Sequence, residues 1–239
     1  MKNLKQKNKL IMVVLLIILF AIILTLTGCG KSSNFSVDEI LQYMSDKYGE
    51  DFTYIEPIDI NQPTASSLSI FVESKNYPNK KIFAKCISSV KSDKKRFCDN
   101  FISYIYEDAT RDLLTNISTT VYPDAKIRYV VDSTVASSYS DDGKLTFEKY
   151  LSRERSSISY TIVLPPEHDS TIYKEELANL CKLFKENKVV CSVTIVYLKD
   201  DSQFETFITD GKYDDYNGYK LRGDIRVDQN FDIAFEEWR

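Results

Sequence analysis

The hydrophobic positions of this 239-residue chain change their spacing several times, and each change predicts an element. The first apolar run, Leu10 to Leu26, has no period. After a short polar stretch, Val37, Ile40, Leu41, Met44 and Tyr48 recur at helical spacing. Ser36 followed three residues later by Glu39 is a capping box, and Gly49 stands where a helix would stop, so a helix is predicted over 37–48. Residues 52–60 alternate and predict a strand. Residues 67–72 and 81–87 predict two more, joined across the turn composition of Asn76-Tyr77-Pro78-Asn79. A second helix is expected over 97–118, with Cys98, Phe101, Ile102, Ile105, Ala109, Leu113 and Ile117 inward, and a strand over 126–131.

Residues 134–144, TVASSYSDDGK, are small and polar and mark a subdomain boundary. Beyond them the pattern predicts a short helix over 145–152 and a strand over 156–164, which Pro165-Pro166 ends. A helix follows over 171–186, with Tyr173, Leu177, Leu180, Cys181 and Phe184 inward. The clearest strand is 188–198, with Val189, Cys191, Val193, Ile195 and Tyr197 on one face. A short helix over 201–208 and a hairpin near 219–235 complete the chain. Interleaved helices and strands, with many strands adjacent in sequence, predict an α+β fold in which helices pack on largely antiparallel sheets. The order of elements suggests two similar α/β subdomains, 36–135 and 136–239.

The first apolar run changes the picture most. Lys2, Lys5, Lys7 and Lys9 precede it, and no acidic residue occurs before Asp38, which is the layout of an export signal. The run ends in Leu26-Thr27-Gly28-Cys29. This ending resembles the lipobox of bacterial lipoproteins: an aliphatic residue, a small one, Gly or Ala, then Cys. The resemblance covers the N-terminal segment alone. It implies that residues 1–28 are a signal peptide cut between Gly28 and Cys29, after a diacylglycerol is attached to the Cys29 thiol. Residues 29–35 would then be a lipidated tether, and the body would lie on the extracytoplasmic face of the cell membrane, as the basic N-terminus also requires. Six flexible residues reach at most about 20 Å, so the body is expected close to the outer leaflet. The alternative is an uncleaved membrane helix, which leaves the body on the same side.

Composition refines this. Removing residues 1–28 takes away four lysines and no acid, so 31 basic residues become 27 against 35 acids, a charge of −8. That disfavours nucleic acid as a partner. Sixteen Tyr, 13 Phe and one Trp supply ample core material. The abundance of Lys, Asn, Ile, Tyr and Ser fits a Gram-positive source, and the chain resembles the small surface lipoproteins of such bacteria, which implies an address and no activity.

Four cysteines remain beyond Cys29: Cys86, Cys98, Cys181 and Cys191. An even number outside the cytoplasm invites disulfides, 86–98 and 181–191 being the natural pairing. The same periodicity places all four on inward faces, where free thiols pack as small hydrophobes. No C-x-x-C occurs, and a single histidine leaves few soft ligands, so neither a redox motif, a metal site nor a cofactor is expected. His168 reads as a loop residue before a helix. There is no G-x-S-x-G elbow and no glycine-rich phosphate loop, so no catalytic residue is expected. Asp210, Asp214 and Asp215 read as a solvated turn, with a weak calcium site as the alternative. Arg222-Gly223-Asp224 is expected to open the last hairpin. Lys80, Lys81, Lys85, Lys91, Lys94, Lys95 and Arg96 gather with Asp93 as the only acid among them. They read as a solvated strand-to-helix loop, or as a surface for anionic headgroups or a polyanionic wall polymer. The functional expectation is a non-catalytic binding or interaction module with a protein or wall-polymer partner. A small-solute-binding lipoprotein is the alternative, and an enzyme comes third.

Overall fold

The computed structural model describes residues 35–58, 67–89, 92–153, 158–207 and 218–239. Gly28, Cys29, Lys91, Asp210, Asp214 and Asp215 lie outside them. In chain order the elements are α1 (Val37–Tyr48), β1 (Phe52–Pro57), β2 (Ser67–Ser74), β3 (Tyr77–Ser89), β4 (Ser92–Asp99), α2 (Phe101–Ile105), α3 (Glu107–Val121), β5 (Lys126–Tyr129) and β6 (Ser138–Tyr139). Then come α4 (Phe147–Leu151), β7 (Ser159–Leu164), a 3-10 turn (Ser170–Ile172), α5 (Tyr173–Asn187), β8 (Ser192–Leu198), α6 (Asp201–Thr206), β9 (Tyr219–Val227) and β10 (Ile233–Trp238). The fold is α+β, with helices on two mostly antiparallel five-stranded sheets.

Local chemistry sets α1. The Ser36 hydroxyl accepts from the Asp38 N–H at 3.1 Å, and the Ser36 N–H donates to Glu39 Oε2 at 3.2 Å. Gly49 closes the helix in the left-handed region at φ 73°, where a Cβ would be strained, and donates its N–H to the Ser45 carbonyl. Ile40 and Met44 are fully buried, while Val37, Leu41 and Tyr48 pack partly on the core.

The first sheet has the order β1-β2-β3-β4-β6, all antiparallel. Strand β4 is a correction to the sequence reading, which gave 92–99 to a loop and a helix start. Its register pairs Cys86 with Phe97 and Lys85 with Cys98, so alternation puts Cys86 and Cys98 on opposite faces of the sheet. The second helix starts only at Phe101 and breaks at Tyr106. The break resets the phase: Thr110, Leu114, Ile117 and Ser118 are buried, while Ala109 is exposed.

The second sheet has the order β10-β9-β8-β7-β5. Strands β7 and β8 are parallel and are joined through α5, while the other neighbours are antiparallel. Two short strands change sheets around the polar segment 134–144. Strand β5, from the N-terminal half, pairs with β7, and β6, from the C-terminal half, pairs with β4. The division expected at 135/136 therefore does not separate the sheets. One continuous core joins Ile70, Ile82 and Cys86 of the first sheet to Tyr160, Ile162 and Ile195 of the second, with Leu114, Leu177, Leu180 and Phe184 from α3 and α5. The far side of the second sheet is covered by a smaller cluster of Val163, Val196, Leu198 and Phe207.

Leu180 is fully buried at the centre of the α5 contact. Leu180→Ala is expected to lower unfolding stability by about 2–5 kcal/mol, through lost burial and a residual cavity. Chemical denaturation measures this, and a loss below about 0.5 kcal/mol would contradict the packing described.

Candidate functional site

On α1, Glu39, Gln42, Tyr43 and Asp46 follow the i, i+3, i+4, i+7 spacing of one helical stripe. The stripe forms one wall of a groove of ≈ 640 Å³. Its length, seven residues of helical rise, is about 10 Å. Phe97 of β4, with Ser140, Gly143 and Lys144 after β6, lines the groove opposite. Tyr43 and Phe97 stack at 5.0 Å between ring centroids and 18° between planes. The far wall is braced: the Ser140 N–H donates to the Phe97 carbonyl at 2.9 Å, and Arg153 holds Asp142 at 2.8 Å and also the Ser137 carbonyl.

Beneath the groove lies a buried charge pair. Asp99, at the end of β4, has a fully buried side chain, and that of Lys47 is only 7% exposed. Asp99 Oδ2 accepts from Tyr43 Oη at 2.6 Å and from Lys47 Nζ at 3.0 Å. Oδ1 accepts from Tyr48 Oη at 2.6 Å and from the Phe101 N–H at 2.9 Å. Lys47 Nζ also reaches Ser138 Oγ at 2.6 Å and the Tyr139 carbonyl at 3.1 Å. Burial first, and then the Asp99 charge, push the Tyr43 and Tyr48 hydroxyls far above the usual tyrosine range, so both remain donors. At the groove rim, hydrogen bonding from Lys95 holds the Glu39 carboxyl below its ordinary range.

The basic residues singled out in sequence do not form one patch. Lys80 pairs with Glu107 at 2.7 Å, Lys81 with Glu56 at 2.7 Å, Lys95 with Glu39 at 2.5 Å and Arg96 with Asp141 at 3.4 Å. Strand alternation also puts Lys95 on the α1 side of β4 and Lys94 and Arg96 on the other, while Lys85 lies opposite Cys98. The expected strand-to-helix loop is a strand edge with paired cations.

All four described cysteines are free thiols. Opposite faces keep Cys86 from Cys98. Burial pushes the thiols of Cys86, Cys98 and Cys181 up to about 11, and that of Cys191 higher still. His168 does sit in the loop before the α5 segment, as expected, yet it is not merely solvated. Its Nε2 meets Glu176 Oε1 at 2.6 Å, and Tyr197 Oη donates to Glu176 Oε2 at 2.7 Å. Its ring lies 5.9 Å from that of Tyr122 and 5.7 Å from that of Tyr197. This cluster ties the loop to α5 and β8. Arg222-Gly223-Asp224 lies inside β9, the first strand of the last hairpin, as expected. Asp224 is held by Arg222 at 3.1 Å and Thr194 at 2.8 Å, and a Cβ on Gly223 would come within 2.5 Å of Trp238. No cluster of metal-ligating side chains occurs among the described residues.

No family model matches the chain, and no curated protein matches it. A solved structure of a DUF5037 family protein from Ruminococcus gnavus aligns over 83% of this chain and 94% of its own, at TM-score 0.40 and 10% identity. A likeness of that size carries no argument about activity.

Two outcomes are expected. Asp99→Ala leaves Lys47 buried without its counter-charge and is expected to cost about 3–5 kcal/mol. In a double-mutant cycle read by denaturation, the double change Lys47→Met with Asp99→Leu should cost less than the sum of Lys47→Met and Asp99→Leu made singly. A double-change loss equal to that sum would mean the pair is not coupled. The thiols supply the second. Their folded pKa values lie above the unfolded value of about 9, so their contribution is full below pH 9 and is lost as pH rises toward about 11. Thermal stability is expected to fall across that window, and the buried Cys86, Cys98 and Cys191 to react with a thiol reagent at pH 8 only after unfolding. Rapid modification of the native chain at those residues would contradict their burial.

Proposed function

We propose that this chain is a lipid-anchored, extracytoplasmic, non-catalytic binding module that takes its ligand in the groove along α1. The groove itself carries the reading. It is an open groove with a braced far wall, and it sets the Tyr43 and Phe97 rings among six polar or charged side chains that can orient a ligand. Its volume lies within the range of about 300–1,000 Å³ common to such sites. The polar groups beneath it are committed to one another. Both Asp99 oxygens are filled by donors, and the neighbouring tyrosine hydroxyls stay protonated, so the groove floor offers no free base beside a nucleophile. The groove lies against one sheet and one helix, which favours this reading over a two-lobed solute binder with its pocket between halves.

Among the described residues no helix is long and apolar enough to cross a membrane. In this reading anchoring falls to Cys29. The tether after it is short, and Glu39 stands in the first turn of α1, so the groove opens near the outer leaflet. Cys29→Ala is expected to leave full-length precursor, which keeps the apolar run of residues 10–26, and to abolish incorporation of labelled palmitate. Unchanged processing and unchanged labelling would reject the lipid anchor.

A further inference from the structure

The groove's chemistry narrows what it can hold, if the binding reading above is right. Its charges cancel locally. Lys47 is answered by Asp99 and Glu39 by Lys95, which leaves Asp46 and Lys144 as one acid and one base. A polyanion or polycation would gain no net attraction from such a lining. The free polar atoms also mix types along one short path. Gln42 Nε2 donates to Asp46 Oδ1 at 2.7 Å, which leaves the Gln42 amide oxygen and Asp46 Oδ2 as acceptors. Lys144 supplies donors, and the Ser140 hydroxyl serves as either.

A phosphate or carboxylate can only accept, and an ammonium can only donate. A hydroxyl does both, so a polyhydroxylated ligand satisfies donors and acceptors set side by side. Tyr43 and Phe97 stack on one another, so the half-buried outer part of the pair adds an apolar contact beside these groups. A pyranose presents the matching pair of surfaces, a rim of hydroxyls and an apolar face of C–H groups. We infer that the α1 groove binds an uncharged oligosaccharide, with Gln42, Asp46 and Lys144 contacting its hydroxyls and Tyr43 and Phe97 its apolar face. The source that fits a groove close to the membrane is a glycan strand of the surrounding wall.

The test uses the full, lipidated chain in phosphatidylcholine nanodiscs, with tetra-N-acetylchitotetraose as the neutral probe and poly(glycerol phosphate) as the anionic one. Amide hydrogen exchange locates the bound probe, and calorimetry measures affinity. The neutral probe is expected to protect residues 37–48 and 138–145. Gln42→Ala and Lys144→Ala, both at exposed positions, should each weaken it about threefold to tenfold, the loss of one hydrogen bond. Lys182→Ala, in a separate surface cavity beside α5, should leave affinity unchanged. Protection of 37–48 and 138–145 by the anionic polymer alone would overturn the glycan and keep the groove as a binding site. Protection elsewhere by the neutral probe would overturn both. Absence of protection by either probe would overturn the glycan assignment.

Discussion

The buried carboxylate of Asp99 is the constraint on which the first half of the molecule depends. It ends β4, takes the N–H of Phe101 at the start of α2, and receives the hydroxyls of Tyr43 and Tyr48 and the ammonium of Lys47 from α1. Its backbone carbonyl accepts the Ser137 N–H, which brings β6 alongside. Asn100 continues the junction, accepting the Phe83 N–H on Oδ1 at 2.8 Å and donating to the Asp132 carbonyl at 3.0 Å. A carboxylate removed from water is tolerated only when its lone pairs are filled, and four donors fill them here. The same requirement fixes where α1 lies on the sheet, because three of the four donors are on that helix.

The second constraint is the strand exchange. Because β5 leaves the first half to pair with β7, and β6 returns to pair with β4, neither sheet is completed by one stretch of chain. Helices α3 and α5 pack together over the second sheet, and their apolar faces merge with those of the first into one core. Polar contacts then hold the connections. The Glu176 carboxylate gathers His168 and Tyr197 at one end of the second sheet, and Asp224 gathers Arg222, Arg239 and Thr194 near the β9–β10 edge. These charged groups act as ties between elements rather than as reactive centres.

The groove is a consequence of both constraints. Asp99 holds α1 against the sheet with its Glu39–Asp46 stripe facing β4, and the returning chain at 138–144 raises the opposite wall. Lys47 is drawn under the floor by Asp99, and Lys95 is drawn to Glu39, so a surface rich in charge in sequence is close to neutral in space. That neutrality, set by pairing across the sheet, is the physical basis for expecting an uncharged ligand.

What the sequence determined by itself is what short-range chemistry decides. The capping box and Gly49 bound α1, the alternation at 188–198 places Val193, Ile195 and Tyr197 in the core, and the periodicity of 171–186 finds Leu177, Leu180 and Phe184. The α+β class follows from the same signals. Strand β4 was not legible, because SDKKRFCD has only two apolar side chains and its extended form comes from pairing with β3. On α3 the sequence found Ile117 and the partly buried Leu113 but missed Thr110, Leu114 and Ser118, and placed the exposed Ala109 inward. The groove left a partial trace, since Lys95, which pairs with Glu39 at its rim, was singled out for its charge, yet Lys47 and Asp99 stand 52 residues apart and nothing local links them. Only the tertiary structure decides such pairs, because a buried charge selects its partner by distance in space, and that distance exists only once the sheet and helix have packed.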